Sequence, residues 1–187
     1  MSKKYRWILF IIGAGTFLYT YFSNNLSPLQ NSELKTNTSS VSSRLTVAYV
    51  TDGDTIKLSN GDKVRYIGVD SPELSHYGST EECNAKEARQ YNESLVLNKE
   101  VILVKDVTNM DRYKRLLRYV YVIGEQGNKI FVNEQMVKEG YAFMSTYPPN
   151  VAKTDIFQKA QKFARENKKG LWNGCMFDTT KRKKRQY

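Results

Sequence analysis

Three carboxylates and one guanidinium lie at predicted strand ends between residues 52 and 73. The dipeptide Asn60-Gly61 separates two short apolar stretches and predicts a tight hairpin. This hairpin should bring Asp54 close to Asp70, with Arg65 on the strand between them. Two converging carboxylates repel each other unless a cation lies between them, and hard oxygen ligands of this kind favour calcium or magnesium. The segment therefore predicts a metal site.

The elements that must position this site follow from hydrophobic periodicity. Period-two alternation predicts three short strands over residues 45–69, and helical spacing predicts a helix over 82–98. Further segments are rich in Val, Ile, Leu and Tyr or have one apolar helical face. They predict strands at 100–105, 116–123 and 129–131 and helices at 133–138 and 154–167. Asn133 should be the N-cap of the first of these two helices, which should stop at Gly140.

No internal repeat is visible in this order of elements. Five of these short strands, with the three helices, match an α+β OB-fold, a small Greek-key barrel that binds oligonucleotides on one face. An N-terminal apolar helix precedes this predicted domain, which spans residues 44–177.

Three sequence blocks carry a resemblance to a known family. They are Asp-Gly-Asp-Thr at 52–55, Arg65 with Val-Asp-Ser-Pro-Glu at 69–73, and Asp-Arg-Tyr-Lys-Arg at 111–115. Their order and approximate spacing resemble the signature of the staphylococcal nuclease (thermonuclease) family. The similarity extends from about Arg44 to Trp172, and it implies the same OB-fold.

The resemblance implies a calcium site and its ligands. Asp54 and Asp70 would bind Ca²⁺ through their side chains, and Ser71 would bind it through its backbone carbonyl. The family usually has Thr at the position of Ser71, but a backbone ligand does not depend on that side chain. Calcium prefers six to eight oxygen ligands, so places remain for water and a substrate oxygen.

The resemblance also implies the residues that act on a phosphodiester. Glu73 is the candidate general base, or it only orients the attacking water. Arg65 and Arg115 would clamp the phosphate, since a planar guanidinium makes bidentate bonds that Lys cannot reproduce. Tyr113 and Tyr147 resemble aromatic residues that contact the nucleotide, on which a base can stack.

One position departs from the family pattern. The pattern has Gly before the second arginine, whereas this chain has Lys114. A turn with positive φ would strain Lys. A shift of one turn residue, in which Arg112 replaces Arg115 as the clamp, stays open. Ser145 stands where the family often has a second Tyr.

Other chemistries lack the residues that they need. His76 is the only histidine, and its nearest thiol is Cys83, so the chain offers no ligand set for zinc and no basis for a Ser-His-Asp triad. We expect His76 to be a solvated loop residue.

The net charge of +10 is unevenly distributed along the chain. The N-terminal flank carries +3, the basic run at 181–185 with Asp178 carries +4, and the predicted domain carries only +3. Nucleic-acid affinity of the domain should therefore be concentrated at a groove. The basic tail, residues 178–187, could bind phosphates or anionic lipids, or it is simply solvated.

The N-terminal region indicates export. Lys3, Lys4 and Arg6 precede an uncharged apolar run at 7–22, which as a helix would be roughly 24 Å long. A cleaved signal peptide and an uncleaved anchor remain open, and the aromatic end of the run favours the anchor. The domain is then expected outside the membrane, or secreted, with residues 23–43 as a flexible linker.

Two cysteines, Cys83 and Cys175, are 92 positions apart. In an exported chain an even cysteine count suggests a disulfide, and two free thiols are the alternative.

The favoured hypothesis is a calcium-dependent endonuclease that acts on DNA and RNA with little sequence preference, as a monomer. By resemblance, its products carry a 3′-phosphate. The alternative is an OB-fold module, tethered at the membrane, that binds nucleic acid without cleaving it.

Overall fold

The computed structural model describes residues 45–75 and 80–175, and the predicted elements occur in the predicted order, with an additional strand at Phe143–Ser145. The strands are β1 (Val47–Val50), β2 (Thr55–Leu58), β3 (Lys63–Tyr66), β4 (Gly68–Asp70), β5 (Val101–Val104), β6 (Leu116–Ile123), β7 (Lys129–Phe131) and β8 (Phe143–Ser145). The helices are α1 (Ala85–Val96), α2 (Val132–Lys138) and α3 (Thr154–Glu166), followed by a 3-10 turn at Gly170–Trp172. The α+β class is confirmed.

Five of the strands close into a barrel. β1, β2 and β3 form an antiparallel meander, β3 pairs in parallel with β6, and β6 pairs antiparallel with β5. The barrel closes where Thr46 bridges Glu100 and where the N–H of Val101 donates to the carbonyl of Leu45 at 3.0 Å. This is the predicted OB-fold barrel. β7 adds to β6, while β4 and β8 form a separate two-stranded sheet.

The predicted hairpin joins β2 to β3. Its turn contains Gly61 with φ of 93°, a left-handed conformation that suits glycine. The register pairs Thr55 with Arg65. Alternate side chains of the two strands point into the core and are at most 1% exposed; these are Ile56, Leu58, Val64 and Tyr66. Arg65 therefore lies on the face of β3 opposite the core.

Residues 45–70 contain four strands rather than the three predicted over 45–69. The chain breaks between β3 and β4 at Ile67 and resumes at Gly68, which has φ of 80°. A Cβ at Gly68 would lie within van der Waals overlap of the Phe157 ring. The break directs β4 away from the barrel and towards β8, so that Asp70 pairs with Phe143.

Two helix assignments from the sequence need correction. The first helix begins at Ala85 rather than at residue 82, because Asn84 adopts a left-handed conformation with φ of 69°. Asn133 is not an N-cap, since α2 already begins at Val132. Its buried side-chain amide instead accepts from the N–H of Val120 and donates to the carbonyl of Ile67, both at 2.9 Å. It therefore ties α2 to the barrel.

Several predictions fall outside the described residues. They are the apolar run 7–22, the linker 23–43, the basic tail 178–187 and His76. Within residues 45–75 and 80–175, no helix combines the length and the apolar character that crossing a membrane requires.

Candidate active site

Arg65 links the two aspartates that the hairpin was expected to bring together. Its Nε lies 3.1 Å from Oδ1 of Asp54, and its Nη2 lies 3.1 Å from Oδ1 of Asp70. Its Nη1 donates to the carbonyl oxygens of Tyr66 at 2.9 Å and Val69 at 2.7 Å. Since Nε and Nη2 form one edge of the planar guanidinium, both carboxylates contact that same edge.

Asp54 is held rigidly at the bottom of the site. It is only 5% exposed, and its Oδ1 also accepts a hydrogen bond from Oγ1 of Thr55 at 3.1 Å. Its Oδ2 accepts from the backbone N–H of Ser71 at 2.7 Å, and its own N–H donates to Oδ1 of Asp52 at 2.9 Å. These bonds bring the three proposed ligand residues, Asp54, Asp70 and Ser71, into one cluster.

The glycine of the Asp-Gly-Asp motif makes this close approach possible. A Cβ at Gly53 would lie 2.6 Å from Cβ of Ser71 and 3.1 Å from Cβ of Ala88 on α1. The first distance is shorter than side chains tolerate, so any larger residue would push the loop away from Ser71.

The site concentrates negative charge around one arginine. Burial and the neighbouring charge of Asp54 raise the pKa of Asp52 to about 8. Burial alone would lower the pKa of Arg65, but the carboxylates of Asp54 and Asp70 raise it above its ordinary value. The guanidinium is therefore permanently charged.

The predicted calcium donors fit a hard divalent cation. The described residues contain no group of three or more His, Cys, Asp and Glu side chains placed to hold a metal. The predicted set is different, because it needs only two carboxylates and the main-chain oxygen of Ser71. Both carboxylates, from Asp54 and Asp70, converge on Arg65. Such an oxygen set suits calcium, which completes its coordination with water and substrate oxygens.

The third sequence block forms a tight turn around Asp111. Its Oδ1 accepts from the N–H groups of Tyr113 and Arg115, both at 2.9 Å, and its Oδ2 accepts from Nε of Arg115 at 2.7 Å. Partial burial would raise the pKa of Asp111, but the hydrogen bonds from Arg115 lower it below its ordinary value. Lys114 adopts φ of 62°, so the turn keeps the left-handed conformation that favours glycine.

A cavity of about 240 Å³ joins the second and third blocks. Arg65 and Arg115 both line it, together with Ser145, Tyr147 and others. Arg112 is not among the described lining residues, which supports Arg115 as the second clamping arginine.

Tyr113 lies outside this group of lining residues. Its ring is 65% exposed and contacts two guanidinium groups. The centroid of the ring is 4.9 Å from Cζ of Arg112 and 5.5 Å from Cζ of Arg115. The structure thus associates Tyr113 with Arg115 but does not place it in the cavity, whereas Tyr147 lines the cavity.

Glu73, the candidate base, follows the ligand residues and is half-buried. Its charge contributes to the raised pKa of Arg65. Its backbone makes two hydrogen bonds to Glu82: its N–H donates to Oε2, and its carbonyl accepts from the N–H of Glu82, both at 3.0 Å. The sequence placed Glu82 in the first helix and gave it no role at the site.

A second feature that the sequence did not reveal is a buried polar network behind the Asp-Gly-Asp loop. The hydroxyl of Tyr66 donates to Oδ1 of Asn92 at 2.9 Å, and Nδ2 of Asn92 donates to the carbonyl of Asp52 at 3.0 Å. Tyr66 and Asn92 are at most 1% exposed. The only signal in the sequence was an amide at a core-facing position of α1.

The predicted disulfide is present between Cys83 and Cys175, whose Cα atoms are 5.9 Å apart. It joins the chain just before α1 to the chain just after the 3-10 turn at Gly170–Trp172. The bond therefore closes a segment that contains the three helices and strands β5 to β8.

Fold and site together define a class of protein. It is an OB-fold domain in which Arg65 bonds two carboxylates and lines a cavity together with a second arginine, Arg115. The chain belongs to the staphylococcal nuclease family: the model described as "Staphylococcal nuclease homologue" matches residues 63–174.

Similar proteins agree with this membership. The chain is 31% identical over 176 residues to "Thermonuclease" of Staphylococcus hyicus, covering 92% of this chain and 99% of that protein. It is 34% identical over 152 residues to "SPbeta prophage-derived endonuclease YokF" of Bacillus subtilis, covering 73% of this chain but only 50% of that protein. It is 36% identical over 135 residues to "Endonuclease YncB" of Bacillus subtilis, covering 70% and 62%.

Proposed function

We propose that this chain is a calcium-dependent endonuclease that hydrolyses phosphodiester bonds in DNA and RNA with little sequence preference. The observation that carries the proposal is the position of Arg65. It bonds both Asp54 and Asp70 while lining the same cavity as Arg115. The names of the similar proteins, a thermonuclease and two endonucleases, support the same reaction.

Hydrolysis requires charge neutralisation at the phosphate oxygens and a proton acceptor for the attacking water. Calcium bound by Asp54, Asp70 and the Ser71 carbonyl would supply positive charge next to the phosphate. Arg65 and Arg115 supply fixed hydrogen-bond donors to the non-bridging oxygens. Both guanidiniums are held by aspartates before substrate arrives, so they need little reorganisation.

Glu73 then takes a proton from water, or orients it, while the water oxygen forms a bond to phosphorus. The bond from phosphorus to the 5′-oxygen breaks, and that oxygen takes a proton from solvent and leaves as an alcohol, while the proton removed from the attacking water passes to solvent. The phosphate stays on the 3′-oxygen, as the family resemblance implies. Tyr147 lines the cavity and offers a ring against the nucleotide.

We also propose that the protein works outside the cell as a monomer. The apolar run 7–22 would serve as an export signal, either cleaved or retained as an anchor, and residues 23–43 would be the tether. The basic tail, residues 178–187, would add affinity for phosphates.

The test is digestion of end-labelled single-stranded DNA and RNA by the purified full chain. We expect cleavage with calcium and none with a chelator. Glu73→Gln should lower the rate by about 10²- to 10⁴-fold, the usual contribution of a general base. The matched control is Glu81→Gln, which removes an exposed carboxylate paired with Lys86 and should leave the rate unchanged. A chain that only retards intact strands in every condition would be a binding module instead.

A further inference from the structure

Glu82 makes reciprocal hydrogen bonds to the backbone of the candidate base. Its carboxylate Oε2 accepts the N–H of Glu73, and its own N–H donates to the Glu73 carbonyl, both at 3.0 Å. Two hydrogen bonds to one residue restrict both its position and its rotation, because a single bond would still allow rotation about that bond. From this geometry we propose that Glu82 is a positioning residue that holds Glu73 in place for hydrolysis. The inference rests on the proposed nuclease function.

Glu82 can act in this way because it is itself anchored twice. Its carbonyl accepts the N–H of Ala85 at 3.1 Å, and Ala85 is the fully buried first residue of α1. The next residue, Cys83, is bonded covalently to Cys175. The residue that bonds the Glu73 backbone is therefore itself held by a packed helix and a disulfide.

The left-handed backbone of Asn84 is what makes Glu82 available for this contact. With φ of 69°, Asn84 prevents the helix from extending back to Glu82. In a longer helix, the N–H of Glu82 would lie in the first turn without a partner within the helix, and helical geometry would set the direction of its carboxylate. Outside the helix, both groups are directed to Glu73.

The other site residues do not depend on Glu82 in the same way. Asp54 and Asp70 are held by Arg65, and Ser71 is held by Asp54. Loss of the Glu82 carboxylate should therefore displace Glu73 rather than Asp54, Asp70 or Ser71. A displacement of about 1 Å can cost about 100-fold in rate.

The test uses four variants of the full chain with single-stranded DNA as substrate. Glu82→Ala and Glu82→Asp both withdraw the carboxylate from the Glu73 N–H, the second while keeping the charge. Each should lower kcat by about 10- to 100-fold, with KM and the calcium concentration for half-maximal rate within about twofold of wild type. Glu82→Gln keeps an acceptor oxygen at the same reach and should retain most of the rate.

The double variant Glu73→Gln/Glu82→Ala separates positioning from a general structural role. If Glu82 acts through Glu73, adding Glu82→Ala to Glu73→Gln should cause no further loss of kcat. An additive loss would overturn the proposal. Wild-type rates in both Glu82→Ala and Glu82→Asp would also overturn it, and so would a loss in Glu82→Gln equal to that in Glu82→Ala. If wild type itself fails to cleave with calcium, the proposed function is what fails. If Glu82→Ala does not fold, Glu82→Asp against Glu82→Gln decides the question.

Discussion

Removal of the disulfide is a quantitative test of how this domain is stabilised. Replacing both Cys83 and Cys175 by Ser opens a loop of 92 residues. In the chain-entropy description, closing a loop of that length lowers the conformational entropy of the unfolded chain, which raises its free energy by about 4.6 kcal/mol at 25 °C. A domain of this size has a total stability of only about 5 to 15 kcal/mol. The free energy of unfolding should therefore fall by about a third or more.

The assay is urea unfolding of the full chain at 25 °C, followed by circular dichroism. The oxidised wild type is compared with Cys83→Ser/Cys175→Ser, and both are measured again in reductant. Reductant should lower the stability of wild type to that of the double variant and leave the double variant unchanged. The denaturant dependence should also rise slightly in the variant, because an open unfolded chain exposes more surface.

A difference in unfolding free energy below about 1 kcal/mol would refute this reasoning. It would mean that the unfolded chain already holds the two ends of the loop close together. Sensitivity of the cysteine-free variant to reductant would show instead that the reductant acts on something other than this bond.

Two further predictions concern side chains behind and beside the site. Tyr66→Phe should lower the free energy of unfolding by about 1 to 3 kcal/mol, because the buried amide of Asn92 loses its hydrogen-bond donor. As a control, Tyr113→Phe at an exposed ring should change the free energy of unfolding by less than about 0.5 kcal/mol. Urea unfolding measures both. Asp111→Asn should cost on the order of 1 kcal/mol at pH 7 through the weakened bonds to Arg115. Since folding lowers the pKa of Asp111 below its ordinary value of 3.8, this cost should be complete above about pH 5 and decrease as the pH falls below 3.8. A cost that does not decrease over that range would contradict the assigned ion pair.

The barrel was largely predictable because its signals are local. Alternation in β2 and β3 and the turn at Asn60-Gly61 determine which side chains face inward, and the structure buries those residues. The strand at Leu116–Ile123 and the helix that begins at Thr154 have the predicted limits to within one residue. In each case the pattern repeats along a single element, so it needs no knowledge of distant residues.

The errors occurred where a residue has a choice of partners. Asn133 has a side chain typical of a helix cap, but its amide makes hydrogen bonds to the backbone of Ile67 and Val120, which are 66 and 13 positions away. Glu82 has the charge expected near a helix start, but its carboxylate bonds Glu73. A polar side chain near a helix terminus has the same local preferences in both situations, so the sequence alone does not distinguish them.

The sequence by itself determined which chemical groups are available: the aspartates, the two arginines, the candidate base and the two cysteines, each in a recognisable motif. The tertiary structure decided how those groups are arranged. It showed that one edge of Arg65 bonds both aspartates and that Arg115, rather than Arg112, shares its cavity. It also showed that Glu73 is held by Glu82. The physical reason is that motifs record residue types, whereas hydrogen bonds between distant segments form only after the barrel and α1 have packed.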